Sequence, residues 1–185
     1  MKKVSTRKIS IIGIGIALNI IGAFIALNLK LPIYMDSIGT IMVSFLFGPL
    51  AGVVTGILGS LVSGVTFDIY SIYFAPVQIT TGLFVGLLYR KGMLKGFRTI
   101  FGVFIITLFT STASAIIAAF VFGGITSSGS SIIVTVLSNL GVNKVVSVFI
   151  VQYLTDYADK FLACVAVSAF LARVPYTLRQ KIVNS

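Results

Sequence analysis

Histidine and glutamate are absent from these 185 residues, and the only four acidic side chains are aspartates. Without histidine or glutamate the chain cannot form a zincin site, a Ser-His-Asp triad or a glutamate-dependent intramembrane protease. A Gly-x-x-x-x-Gly-Lys-Ser/Thr loop is also missing, which excludes ATP hydrolysis by P-loop chemistry. The single cysteine, Cys164, excludes an internal disulfide and a cysteine metal cluster. We therefore expect no enzyme activity, no cofactor and no metal site.

Charged residues of both signs are scarce. They make up 10% of the chain, against roughly 25% in soluble domains, while 57% of residues are hydrophobic. The mean hydropathy is +1.11, and several apolar runs approach the roughly 20 residues that a helix needs to cross a bilayer. This composition predicts an all-α membrane protein, a compact bundle that forms one domain over residues 1–185.

Apolar length, interrupted by glycine, proline and charge, predicts about six transmembrane helices. They cover residues 9–29, 37–47, 50–66, 72–89, 99–122 and 144–172. Because Gly48-Pro49 interrupts the apolar run, helices 2 and 3 should meet at a tight turn. The segment 123–143 begins as a Gly/Ser linker and continues into an apolar piece too short to span, which predicts a small helix or re-entrant turn on the outer face.

The net charge of +10 is explained better by membrane topology than by nucleic acid binding. The basic residues cluster at helix ends and form no stripe with stacking aromatic residues. With the amino terminus inside, the positive-inside rule places three groups in the cytoplasm. These groups are Lys2/Lys3/Arg7/Lys8, Arg90/Lys91/Lys95/Arg98 and Arg173/Arg179/Lys181. Both termini are then cytoplasmic.

The last predicted helix contains an Asp-x-x-Asp-Lys sequence in a segment long enough to span lipid. Ionisable side chains there are costly unless something compensates them. Asp156 and Lys160 form an i, i+4 pair in the favourable order, so one interpretation is a structural ion pair. Helical spacing places further polar and aromatic side chains nearby, namely Gln152, Tyr153, Tyr157 and Asp159. The other interpretation is a site in which these groups bind a polar ligand and the tyrosines cover its ring faces.

Two more polar and aromatic groups fall on the predicted outer face. One group consists of Tyr34, Asp36 and Ser37, and the other consists of Asp68, Tyr73 and Gln78. Asp36 followed by Ser37 is typical of a helix N-cap, but a carboxylate and a hydroxyl at the mouth of a bundle could equally line a ligand site. Three such groups on one side predict a pocket that opens outward.

Small residues four apart mark helix faces that allow close approach of another helix. They occur on helix 1 as Gly13/Ala17 and Gly22/Ala26, and on helix 3 as Gly48, Gly52, Gly56 and Ser60. Each face serves either internal packing or docking to another membrane subunit. Gly13 and Ala17 are the better docking candidates because they lie near the cytoplasmic end.

These features together resemble the substrate-binding S components of bacterial energy-coupling factor (ECF) transporters. The resemblance covers essentially the whole chain and rests on Asp36-Ser37-Ile38-Gly39-Thr40, Gly48-Pro49-Leu50-Ala51-Gly52, Asp156-x-x-Asp159-Lys160 and the basic inner loops. It implies capture of a water-soluble vitamin in an outer pocket of a protein in the bacterial cell membrane, closed by the loop between helices 1 and 2. It also implies docking to a membrane coupling protein and two ATPases through a helix 1 motif, for which Gly13-x-x-x-Ala17 is the nearest match.

The predicted pocket residues suggest a range of ligands. Carboxylates, a lysine and tyrosines suit a small heteroaromatic alcohol or amine, such as a vitamin B6 form or hydroxymethylpyrimidine, and Lys160 could attract pantothenate. The alternative function is a stand-alone carrier driven by protons or sodium, and another is an assembly factor without a small ligand. The absence of a convincing internal repeat weakens an inverted-repeat carrier.

Overall fold

A computed structural model describes residues 5–175 together with residues 177, 180 and 182. The described part is helical and contains no strand, so the predicted all-α bundle is confirmed. Its helices are α1 Thr6–Asn28, α2 Ile38–Phe47, α3 Pro49–Thr66, α4 Tyr70–Tyr73, α5 Ala75–Arg90, α6 Arg98–Ile116 with a π-helical extension Ile117–Val121, α7 Ser130–Asn139 and α8 Lys144–Arg173. From the predicted inner basic groups, Lys2, Lys3, Arg179 and Lys181 lie outside the described residues.

The six predicted helices correspond to α1, α2, α3, α4 with α5, α6 and α8. The fourth prediction, 72–89, is corrected in one respect: the helix is interrupted at Phe74, and Pro76 lies in the first turn of α5, where its missing N–H costs nothing. The small helix predicted within 123–143 is α7. Within the described residues, three helices are long and apolar enough to cross a membrane, namely Thr6–Asn28, Pro49–Thr66 and Arg98–Val121.

The turn between α2 and α3 consists of one residue, Gly48. Its φ of +88° lies in the region that favours glycine, and a Cβ there would overlap the guanidinium group of Arg90. Its N–H donates to the carbonyl of Ser44 at 2.9 Å, and Pro49 then begins α3. The predicted tight turn is therefore present.

The small-residue faces of α1 and α3 have different surroundings. Gly52 and Gly56 of α3 are buried, and added Cβ atoms there would collide with the hydroxyl of Ser44 in α2 and with the side chain of Gln78 in α5. Most of the α3 face therefore serves internal packing. On α1, by contrast, Gly13 and Ala17 are exposed, and a Cβ on Gly13 would have no atom within 4 Å.

The two ends of the bundle differ in chemistry. At one end, which we call the basic end, Lys8 lies 5.4 Å from the ring centroid of Phe47, and Lys95 lies 5.6 Å from that of Tyr89. Buried aliphatic residues fill the interior next to it, including Ile41, Val43, Val85, Val103 and Ile106. At the opposite end, which we call the loop end, the connections 29–37, 67–69 and 122–129 meet. The polar residues of the predicted site lie toward this end.

Candidate ligand-binding site

A cavity lies at the loop end between α1, α5, α6, α8 and the connections. It contains about 680 Å³ of empty space, a volume that includes the part open to solvent. Its aromatic lining residues are Tyr34, Tyr70 and Phe74, and its charged ones are Asp36, Asp68, Asp156 and Lys160. The remaining wall is mostly aliphatic or hydroxyl-bearing.

Lys160 of α8 forms ion pairs with both aspartates of its own helix. Its Nζ lies 2.9 Å from Oδ1 of Asp156 and 3.0 Å from Oδ2 of Asp159, and the residue is only 1% exposed. We call these three residues the charged cluster. The predicted i, i+4 pair therefore forms. Because Asp156 and Lys160 also line the cavity, the ion pairs do not exclude contact with a ligand.

The second carboxylate oxygen of Asp156 is held by α6. It accepts hydrogen bonds from Thr110 at 2.5 Å and from Ser111 at 2.9 Å. Sequence reasoning missed these hydroxyls, although buried Thr and Ser residues recur at helical spacing on one face of α6, at Thr107, Thr110, Ser111 and Ser114. The helical spacing of these hydroxyl residues is the feature from which a polar face of α6 could have been predicted.

The charged cluster also holds the loop between α1 and α2, which we call the covering loop (residues 29–37). Oδ1 of Asp159 accepts a hydrogen bond from the backbone N–H of Met35 at 2.8 Å. Oδ2 accepts one from the hydroxyl of Ser37 at 3.3 Å. Ser37 occupies the N-cap position of α2, as the sequence indicated, but its side chain makes no capping hydrogen bond.

Tyr34 fastens the same loop to α7 and α8. Its hydroxyl donates to Oε1 of Gln152 and lies 3.2 Å from the hydroxyl of Ser130. Burial raises the pKa of Tyr34 to about 12, so the phenol keeps its proton and remains a donor.

Two glycines allow the covering loop to lie close to its neighbours. A Cβ on Gly22 of α1 would overlap the carbonyl of Met35, and a Cβ on Gly129 would overlap that of Lys30. Lys30 and Met35 themselves have positive φ angles of 51° and 52°, a conformation that costs a residue with a side chain about 1–3 kcal/mol. The loop is therefore bent to fit over the cavity.

Asp36 lies in the covering loop and lines the cavity. Within the described part of the chain, its Oδ1 is a buried atom without a hydrogen-bond partner. Its backbone carbonyl accepts a hydrogen bond from Gln78 at 3.2 Å, and Gln78 in turn accepts one from Thr40 at 3.0 Å. Asn19, another buried residue that sequence reasoning missed, donates to Thr40 at 2.8 Å.

Burial raises the pKa of Asp36 to about 6. The positive charge of Lys160 opposes this rise, while the negative charges of Asp159 and Asp156 add to it. Near neutral pH the carboxylate is therefore close to its titration range.

Asp68 lies at another part of the wall, which we call the rim. Its Oδ2 accepts hydrogen bonds from Ser127 at 3.0 Å and from Ser71 at 3.3 Å. Asp68 thereby links the connection 67–69 to the connection 122–129. The structure thus brings Tyr34, Asp36, Asp68, Asp156 and Lys160 to one cavity, as the three converging groups suggested.

The interpretation in which Tyr153 and Tyr157 cover the ring faces of a ligand differs from their placement in the structure. Tyr153 donates to the carbonyl of Leu108 at 3.2 Å, and Tyr157 donates to that of Ile100 at 3.3 Å. Both hydroxyls therefore reach α6, and neither residue is part of the cavity lining. Tyr73 is 51% exposed and packs edge-on against Phe122.

The remaining predicted residues do not line the cavity but hold residues that do. Ser37, Gln78, Gln152 and Asp159 are buried and hydrogen-bonded to the covering loop or to its contacts. Sequence reasoning missed Tyr70 and Phe74 as wall residues, although both lie next to the Asp68 group that it had singled out.

Comparison with known proteins gives one match. A family model described as "ECF-type riboflavin transporter, S component" matches residues 3–160, which is most of the chain. A search of curated proteins found no match, and a search of solved structures found none.

Proposed function

The chain belongs to the family of ECF-type riboflavin transporter S components, and from this premise we propose that it captures riboflavin or a closely related flavin in the cavity at the loop end. Membership makes it a membrane-embedded component of a vitamin uptake system that works with the membrane and ATPase subunits of an ECF module. The observation that carries the proposal is the cavity itself, with the charged cluster on one side, aromatic rings in its wall and the covering loop across it. Riboflavin was not among the three ligands suggested by the sequence.

The chemistry of the wall supports an uncharged, partly aromatic ligand. Tyr34, Tyr70 and Phe74 offer ring surfaces for a flat heteroaromatic system. The hydroxyls and carboxylates can bind the hydroxyl chain and the imide group of a flavin. Pantothenate fits less well, because its carboxylate would approach Asp36 and Asp156 while Lys160 is already paired twice.

The proposal is tested by titrating the purified chain in detergent. Riboflavin fluorescence and calorimetry should show saturable binding to one site, whereas a vitamin B6 form, hydroxymethylpyrimidine and pantothenate should bind more weakly. These three serve as the matched panel. A folded preparation that binds one of them and not riboflavin would reassign the ligand, and one that binds none would contradict capture of a vitamin.

We further propose that Gly13 and Ala17 form the surface that docks to the membrane coupling protein of a module with two ATPases. Support comes from their exposure on α1, since the other small-residue faces are largely used for packing within the bundle. Ala17→Leu should abolish uptake by the assembled transporter and leave riboflavin affinity unchanged. Ala166→Leu, an equal enlargement at an exposed position of α8, is the control. Equal losses of uptake and affinity in Ala17→Leu would contradict docking at this face.

The orientation is also proposed. Lys8, Arg90, Lys95 and Arg98 lie at the basic end, away from the cavity, which by the positive-inside rule favours a cytoplasmic basic end and cytoplasmic termini. The cavity then opens to the outside of the bacterial plasma membrane.

A further inference from the structure

One carboxylate that lines the cavity has an oxygen without a hydrogen-bond partner in the described part of the chain. Oδ1 of Asp36 is buried and has no partner within the described part of the chain. The other carboxylates at the cavity, by contrast, are held by hydroxyl groups or by Lys160. A buried acceptor without a donor is unfavourable, so a hydrogen-bond donor supplied at this point would be stabilising.

The charges near Asp36 do not balance. In the described part of the chain, the charges that act on Asp36 are those of Asp156, Asp159 and one cation, Lys160. The ion pairs of Lys160 are made with the two aspartates of α8. With all three carboxylates ionised, the group carries an excess of negative charge in a place with little water, where charge is stabilised only by a proton or a hydrogen-bond donor.

We propose that Asp36 accepts a hydrogen bond from an N–H or O–H group of the bound ligand and thereby selects for ligands that carry a donor at this point. This inference rests on the proposed function, because it assumes that the flavin occupies the cavity. Riboflavin has two kinds of donor: the imide N–H of its ring and the hydroxyls of its ribityl chain. Ligands without the matching donor would leave the carboxylate desolvated and unsatisfied, which is the most effective form of discrimination by a polar site.

The proposal predicts a pH dependence with a defined sign. The groups that face Asp36 are Lys160, Asp159 and Asp156 from α8, and the amide of Gln78 from α5. Without ligand the pKa of Asp36 is about 6, and a ligand donor stabilises the ionised form and lowers this pKa in the complex. The contribution to affinity is therefore fully present above pH 6 and decreases as the pH falls through that value, by up to about tenfold per unit.

The experiment compares the wild-type chain and Asp36→Asn with three flavins between about pH 5 and pH 8. The flavins are riboflavin, riboflavin methylated at the imide nitrogen, and lumiflavin, which has a methyl group in place of the ribityl chain. Affinity is measured by fluorescence quenching in detergent, and a thermal melt establishes that the variant is folded. Asp68→Asn is the matched control, since it removes a carboxylate from the same cavity that already has hydroxyl partners.

Asp36→Asn should bind riboflavin about 10- to 100-fold more weakly and should lose the pH dependence, whereas Asp68→Asn should keep it. With the analogue that lacks the matching donor, the wild-type chain and Asp36→Asn should bind equally. If the wild-type chain and Asp36→Asn bind the methylated flavin equally, the donor is the ring N–H. If they bind lumiflavin equally, the donor is a ribityl hydroxyl.

Other results would overturn the inference. One is equal affinity of Asp36→Asn and wild type for riboflavin, and another is a pH dependence of affinity that persists in Asp36→Asn. A third is an equal loss of affinity in Asp36→Asn for all three flavins. If Asp36→Asn fails to fold, the titrations of the wild-type chain test the inference alone. A pH dependence of affinity that is retained with both analogues would show that neither ligand donor bonds Asp36. A wild-type chain that binds no flavin would instead overturn the proposed function.

Discussion

The charged cluster and the rim place aspartates in the same cavity under opposite conditions. In the charged cluster, Asp156 and Asp159 pair with Lys160, a residue that is 1% exposed, and each carboxylate also accepts hydrogen bonds from another element of the protein. At the rim, Asp68 is only partly buried and accepts from two serines without a cation. The comparison teaches that a membrane protein can keep carboxylates either by mutual neutralisation inside or by access to water at the surface.

This difference predicts which residues bear on folding and which bear on opening of the cavity. The charged cluster joins α6, α8 and the covering loop, so its loss should affect the whole bundle. The rim joins two connections, and water can replace each of its hydrogen bonds. We therefore expect a graded series of effects from the charged cluster to the rim.

The largest effect is expected for Lys160→Met. It leaves Asp156 and Asp159 buried without their cation, and breaking a buried pair in this way costs about 3–5 kcal/mol. The midpoint of thermal unfolding in detergent should fall strongly. Adding Asp156→Asn and Asp159→Asn to the same chain removes the uncompensated charges and should recover much of the loss. An unchanged midpoint for Lys160→Met alone would show that the charged cluster is not structural.

Asp159→Asn should have the next largest effect, because this carboxylate holds both Lys160 and the covering loop. A hydrogen bond to a charged group contributes about 1.5–3 kcal/mol, and its weakening at Met35 and Ser37 should free the loop. Riboflavin should then dissociate faster, as measured by stopped-flow fluorescence. Ser111→Ala is the control, since it removes a hydrogen bond that joins the charged cluster to α6 and not to the loop. Equal dissociation rates in the two variants would contradict a specific link between Asp159 and the covering loop.

A smaller change is expected for Tyr34→Phe. It removes the phenol that bonds Gln152 and Ser130, at a cost of about 1 kcal/mol, so ligand dissociation should accelerate several-fold. Tyr153→Phe removes a similar hydroxyl that faces α6 and should not change the dissociation rate. If both variants behave alike, the hydroxyl of Tyr34 does not hold the loop closed.

The smallest effect is expected at the rim. Asp68→Asn keeps the size of the side chain and the ability to accept from Ser71 and Ser127, so the unfolding free energy should change by less than about 1 kcal/mol. Thermal unfolding in parallel with Lys160→Met gives the comparison directly. A loss at Asp68 as large as that at Lys160 would remove the distinction between the two regions.

Several features of the candidate site could be predicted from the sequence. The pair Asp156 and Lys160 was visible because helical periodicity and the scarcity of charge are local properties of one segment. Asp36 and Asp68 stood out for the same reason. The wall residues Tyr70 and Phe74 and the hydroxyls of α6 were missed, since tyrosine, phenylalanine and threonine are common in membrane helices and their spacing does not say which face is turned inward.

The side chains of Ser37, Tyr153 and Tyr157 bond differently from the capping and ligand-covering interpretations, for a related reason. Capping is the usual use of Ser37 before a helix, but Asp159 competes for its hydroxyl across 122 residues of sequence. Tyr153 and Tyr157 are near Lys160 along the chain, yet their hydroxyls reach carbonyls of α6. Local rules could not predict either result, because both partners come from another element.

By itself, the sequence determined that this chain is an all-α membrane bundle of the S-component family, because hydropathy, segment length and the short motifs are local properties of the chain. Only the tertiary structure decided which small-residue face is buried, which carboxylates are satisfied and that Asp36 retains a free oxygen. The physical reason is that a buried polar atom finds its partner in whichever helix packs against it. The hydrogen bond from Met35 to Asp159 joins residues 124 positions apart in the sequence, and no local pattern predicts a contact over such a separation.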